Sequence, residues 1–170
     1  ITMFNVRNGE IYMIKLKTFG SFTVGNDLTS VQEGAWRSEK LEKLFVYLAM
    51  NRNRGVCIED ISEAIWQVEE ETDNPVGALK NLAYRLRKAL RDASFDEECI
   101  VSVRGGLYKW NDDVEVTIDV EEFDRYINEA EMAFCRSKET AIESYEKAIA
   151  LYHGDFLPLR TDTHWFMTLN

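Results

Sequence analysis

Cysteine is scarce in this chain of 170 residues, and the three present, Cys57, Cys99 and Cys135, stand far apart. That number and spacing suit neither a disulfide framework nor a zinc site, and they predict reduced thiols in a cytoplasm. Cys57 and Cys99 fall at strand-like positions and are expected to be small core residues. Histidine is scarcer still. His153 precedes Gly154 at a predicted helix end, where a cation suits the helix dipole. No apolar run approaches the roughly 20 residues that cross a bilayer, so no membrane contact is expected. The N-terminus shows no basic segment followed by an apolar one, and so no signal peptide pattern. The start at Ile1 instead of Met reads as a fragment or a processed chain. There is no G-x-x-x-x-G-K-[ST] phosphate loop. Carboxylates are plentiful, but nothing singles out a catalytic pair. The expectation is a non-enzyme with no catalytic residue, no metal and no cofactor.

Positive charge is also in short supply. The chain carries 20 Lys plus Arg against 30 Asp plus Glu, for a formal net charge of -10. The deficit is uneven. Residues 1–34 are neutral, residues 35–110 carry -1, and residues 111–170 carry -9. The composition breaks near Asn111-Asp112-Asp113, which places a domain boundary there. Residues 1–12 read as an N-terminal extension, 13–110 as one domain and 111–170 as a shortened acidic second domain.

Local patterns fill in these segments. Ile14 and Leu16 alternate with Lys15 and Lys17, and Phe22 and Val24 flank Thr23, which predicts short antiparallel strands up to about Asp27. Residues 28–37 read as a loop. Ser38 is positioned to cap a helix with Leu41, Leu44, Phe45, Leu48 and Ala49 on one face. A second helix places Ile58, Ile61 and Ile65 inward, with Trp66 near its end. Asn74-Pro75 opens a third, since Asn caps and Pro suits the first helical position. "CIVSVRGGLYKW", residues 99–110, reads as a hairpin turning at Arg104-Gly105-Gly106. Beyond the boundary the pattern is wholly helical. One stripe is Phe123, Tyr126, Ile127, Ala130 and Phe134, capped by Asp119 or Thr117. Another is Ala141, Ile142, Tyr145, Ala148, Ile149 and Tyr152, ended by Gly154. Small residues alternate with large ones, as in helical repeats. Trp165, Phe166 and Leu169 mark the start of a third such helix. The four Trp residues read as core or contact residues and not as a stacking platform.

The scarce cations gather on the third helix. "GALKNLAYRLRKALRD", Gly77 to Asp92, holds Lys80, Arg85, Arg87, Lys88 and Arg91, and no acid before Asp92. At 100° per residue, Leu79, Ala83, Leu86 and Leu90 share one stripe. Lys80, Asn81, Tyr84, Arg85 and Lys88 fall opposite, and Arg87 and Arg91 on the flank. A charge run on a helix is usually just a solvated face. The order of elements favours another reading. Two helices precede this one and a glycine-tipped hairpin with Arg104 follows, which is the order of a winged helix-turn-helix. In that arrangement Lys and Arg neutralise phosphate or read guanine, Asn pairs with adenine, and Tyr touches phosphate or base.

The sequence also resembles the SARP class of transcriptional activators, which join an OmpR-like winged helix to a bacterial transcriptional activator domain (BTAD). The resemblance covers about residues 13 to 158. "IKLKTFGSFTV" resembles the opening strands, "LEKLFVYLAMNRNRGVCIEDISEAIW" the first two helices, and "ALKNLAYRLRKAL" the recognition helix with its L-R-x-x-L ending. "VRGGLYKW" resembles the wing, and "DVEEFDRYINEA" with "ALYHGDFLP" the activator domain. Each motif is weak alone; their common order is specific. The resemblance implies an α+β winged helix-turn-helix domain followed by an all-α, TPR-like helical domain. It implies that Lys80, Asn81, Tyr84, Arg85 and Lys88 face DNA, with Arg87 at the edge, Trp66 at the backbone and Arg104 on the wing. Leu82 stands where the OmpR branch is often polar, and Leu107 where its wings usually carry Gly.

The functional expectation is a cytoplasmic, sequence-specific regulator of transcription that binds double-stranded DNA. The resemblance further implies activation by recruiting RNA polymerase, and action in pairs as a homodimer. The rival reading is a protein-interaction adaptor of winged-helix shape with little DNA affinity. Its support is the near-zero charge of residues 35–110 and the apolar Leu82.

Overall fold

The computed structural model describes residues 6–7, 10–11, 13–26, 29–66, 74–95, 97–103 and 106–156. Two short strands, β1 (Val6–Arg7) and β2 (Glu10–Ile11), pair as a small antiparallel hairpin within the stretch read as an extension. The main sheet follows. In β3 (Ile14–Lys17) the alternation is realised: Ile14 and Leu16 are buried while Lys15 and Lys17 face solvent. β4 (Thr23–Gly25) pairs antiparallel with β3, and β5 (Ser30–Gln32) with β4. The stretch 28–37 therefore holds a strand as well as turns. Only Val31 of β5 is apolar and buried, so three residues carried too little alternation to be read.

The fourth strand is β8 (Val116–Ile118), which lies parallel to β3 and gives the order β5-β4-β3-β8. The region after Asn111 is thus not wholly helical. The pairing of Ile14 with Val116 joins positions about a hundred residues apart, and no local pattern signals it.

Three helices share one core with this sheet. α1 (Glu39–Met50) is buried from Leu41 to Ala49. Ser38 occupies its N-cap position but its side chain makes no capping bond. α2 (Ile58–Ile65) starts at Cys57, whose Sγ accepts from the Asp60 amide at 3.5 Å. Cys57 is therefore a half-exposed cap and not a core residue, whereas Cys99 is fully buried. α3 (Pro75–Asp92) starts as its sequence predicts, with Asn74 Oδ1 accepting from the Gly77 amide at 2.8 Å. A 3-10 turn, Glu97–Cys99, leads into the hairpin β6 (Ile100–Val103) and β7 (Leu107–Trp110). Gly106 closes the turn at φ +79, a conformation open mainly to glycine. Phe22, Trp36, Phe45 and Trp110 stack edge to face through the core at centroid spacings of 5.3 to 5.5 Å.

α4 (Asp119–Phe134) and α5 (Lys138–Leu151) form an antiparallel hairpin. Its close-packed seam is made of small residues: Ala130, Ala141, Ser144 and Ala148 are buried. Ile142 and Ile149, assigned to the apolar stripe from spacing, stand 57% and 70% exposed. Helix pairs approach closely through small side chains, and large ones are turned aside. Asp119 does not act as a helix cap either. Ile118 holds the N-cap position, and the Asp119 carboxylate reaches back to the loop after β3. There it accepts from the Thr18 amide at 2.8 Å, the Thr18 hydroxyl at 2.6 Å and the Phe19 amide at 3.0 Å. Phe19 then packs edge to face on Phe123 and Tyr152. Gly20 passes so near the His153 carbonyl that a Cβ would lie 2.5 Å from its oxygen. The start of α4 and the residues after α5, at the same end of the helical hairpin, are thereby both seated on the loop after β3. The predicted third helix, with Trp165, Phe166 and Leu169, lies outside the described residues.

Candidate nucleic-acid interface

The core stripe of α3 is as its spacing predicts. Leu79, Ala83, Leu86 and Leu90 are buried against α1 and α2. Leu82 is buried as well, so its apolar character belongs to packing. With that face fixed, helix geometry sends Lys80, Asn81, Tyr84, Arg85 and Lys88 outward, and all five are exposed. Tyr84 is 66% exposed, a large value for an aromatic ring. Among the described residues, no acidic side chain pairs with Lys80, Arg85 or Lys88. The result is an exposed face of three cations, an amide and a phenol.

Two other predicted residues are placed differently. Trp66 ends α2 in extended backbone, packs half-buried on the core, and lies 5.9 Å from the Lys40 ammonium. Arg87 is turned toward the hairpin. Its Nε and Nη2 donate to the Ile100 carbonyl at 3.1 and 2.9 Å, and Nη2 lies 3.5 Å from the Ser102 hydroxyl. Arg104 lies outside the described residues. Arg87 lies on the flank by its angle, at the edge of the exposed face, where spacing alone does not decide which way the side chain turns.

The hairpin is held by backbone bonds. Val56 and Tyr108 exchange bonds of 2.7 and 2.9 Å, which tie β7 to the α1–α2 turn. Leu107 fills space beside Gly55, where a Cβ would meet its Cδ1 at 3.2 Å. An aliphatic residue replaces glycine here because Gly55 opposite leaves room for it.

Among the described residues no group of three or more His, Cys, Asp or Glu is placed to hold a metal ion. No helix among them is long and apolar enough to cross a membrane.

Comparison with known proteins bears on the same stretch. No curated protein matches the sequence. The fold is similar to that of Mycobacterium tuberculosis EmbR, solved in complex with a low-affinity phosphopeptide, with a TM-score of 0.73 and 21% identity. The match covers 92% of this chain but 40% of EmbR, so the chain spans well under half the length of that relative. Residues 33–110, from the end of β5 to the end of β7, match the family described as transcriptional regulatory protein, C terminal.

Proposed function

We propose that the chain is the DNA-contacting part of a transcription regulator, with α3 as its reader in the major groove. The observation that carries this reading is the exposed face of α3. Lys80, Arg85 and Lys88, which have no ion-pair partner among the described residues, project with Asn81 and Tyr84 from one side of a helix whose other side is locked in the core. On an acidic chain such a face is the place suited to meet a polyanion. Lys80, Arg85 and Lys88 would supply phosphate or guanine contacts, and Asn81 is the side chain suited to adenine. Arg104, at the tip between β6 and β7, would reach the neighbouring groove or backbone. Trp66 would serve at the DNA backbone.

Residues 13–110 form the binding unit in this reading. The acidic residues 111–170 face away from the duplex and serve as an interaction module. By resemblance to the SARP class, that module would contact RNA polymerase and act in pairs to activate transcription.

The test is duplex binding followed by fluorescence anisotropy, on sequences selected from random DNA. With about four phosphates neutralised per subunit, log K against log salt falls with a slope of roughly -3 to -4. Arg85→Ala and Lys88→Ala each weaken binding while leaving the fold intact. A slope near zero with both variants unchanged overturns the reading and favours the adaptor.

A further inference from the structure

We propose that Arg87 is a positioning residue, which fixes the angle between α3 and the first wing strand and leaves DNA contact to its neighbours. The proposal rests on the DNA-binding reading of α3.

The argument starts from the ladder of the hairpin. In an antiparallel pair, opposed residues alternate between exchanging bonds and turning their backbone groups outward. The Cys99 carbonyl accepts from the Asn111 amide at 2.7 Å, just outside the pair Ile100–Trp110. The next pair, Ile100–Trp110, therefore turns its backbone groups away from the hairpin. Two residues on, Tyr108 opposite Ser102 does the same, and its groups meet Val56. Among the described residues no such strand lies beside Ile100. It is 1% exposed, so its outward carbonyl is an edge acceptor shut off from water. A buried acceptor of this kind must find a donor.

Arg87 is that donor. Its planar guanidinium sets two N–H groups on the one oxygen, and Nη2 also leans toward Ser102. Ile100 and Ser102 lie on the same outward edge of β6, so the contact fixes both the height and the tilt of α3 along the strand. Arg87 sits between Leu86 and Lys88, one buried in the core and one exposed. It is the point where the reader helix and the wing meet. A lysine keeps the charge but has no planar fork to reproduce this contact.

The experiment compares Arg87→Gln, Arg87→Lys and Lys88→Gln with the parent chain. Two quantities are read: the salt slope of duplex binding, and hydrogen exchange of the β6 and β7 amides in the free protein. The expected result is that both Arg87 variants bind several-fold more weakly with the parent's salt slope, and that both exchange faster in the hairpin. Lys88→Gln lowers the slope by about 0.9 and leaves hairpin exchange alone. The proposal is overturned if Arg87→Gln lowers the slope by about 0.9, Arg87→Lys keeps parental affinity, and hairpin exchange is unchanged. Arg87 would then be a phosphate contact. A parent slope near zero is a different failure, since it removes the DNA reading itself.

Discussion

The Arg52 guanidinium and the Glu121 carboxylate lie in parallel, joined by two hydrogen bonds of 2.6 Å. Arg52 follows the end of α1, and Glu121 is in the first turn of α4. The same guanidinium donates to the Ala49 carbonyl at 3.1 Å and so helps to close the end of α1. The bonds it donates to Glu121 raise the already high pKa of Arg52 further, against the opposing effect of burial. Both side chains remain about a third exposed, which limits what the pair contributes. A double-mutant cycle with Arg52→Met and Glu121→Gln is expected to give a coupling of about 0.5–1 kcal/mol by urea unfolding. Coupling indistinguishable from zero would make the pair a surface contact without structural weight.

Asp119 should matter more. Its carboxylate serves two buried amides and the Thr18 hydroxyl, and also its own neighbour, the Val120 amide, at 2.9 Å. Asp119→Ala leaves these donors without their acceptor inside the joint between sheet and hairpin. The expected loss is about 3 kcal/mol, with a smaller loss for Asp119→Asn, which keeps one acceptor oxygen. Equal stability of Asp119→Ala and the parent in urea would refute this account.

What could be read from the sequence follows the range of the interactions. Pro75, Asn74 and the stripe from Leu79 to Leu90 set the start and the buried face of α3 through contacts within a few residues, and so they were legible. The hairpin from Ile100 to Trp110 was legible for the same reason. β8 was not, because Val116 and Ile118 become a strand only by pairing with Ile14 and Leu16. The roles of Arg87 and Asp119 were hidden likewise. Each depends on a backbone group, the Ile100 carbonyl or the Thr18 and Phe19 amides, that the fold brings near from elsewhere.

Leu82 separates packing from recognition. It occupies a turn of α3 beside the exposed Asn81, yet it is only 5% exposed. Leu82→Ala is therefore expected to cost about 3 kcal/mol of stability, as a buried leucine does. The order in which duplex sequences are preferred should stay unchanged, measured at a temperature where the variant is folded. A changed preference with parental stability would place Leu82 at the bases.

The α4–α5 seam yields a prediction that runs against hydrophobicity. Ile149 is the larger apolar residue, but it is 70% exposed, whereas its neighbour Ala148 is fully buried between the helices. Ile149→Ser removes an apolar side chain that is already in water, and serine and isoleucine have similar helix propensities. The expected change is within about 0.5 kcal/mol. Ala148→Leu adds apolar volume but has nowhere to put it. The seam also holds the fully buried Ala130 of α4, and a seam built on small residues cannot widen without losing contact along its length. The expected loss is about 1–3 kcal/mol. Thermal unfolding of the two variants beside the parent decides the matter. If Ile149→Ser is the more damaging, the exposed face of α5 is packed in solution and the seam does not bear the load assigned to it.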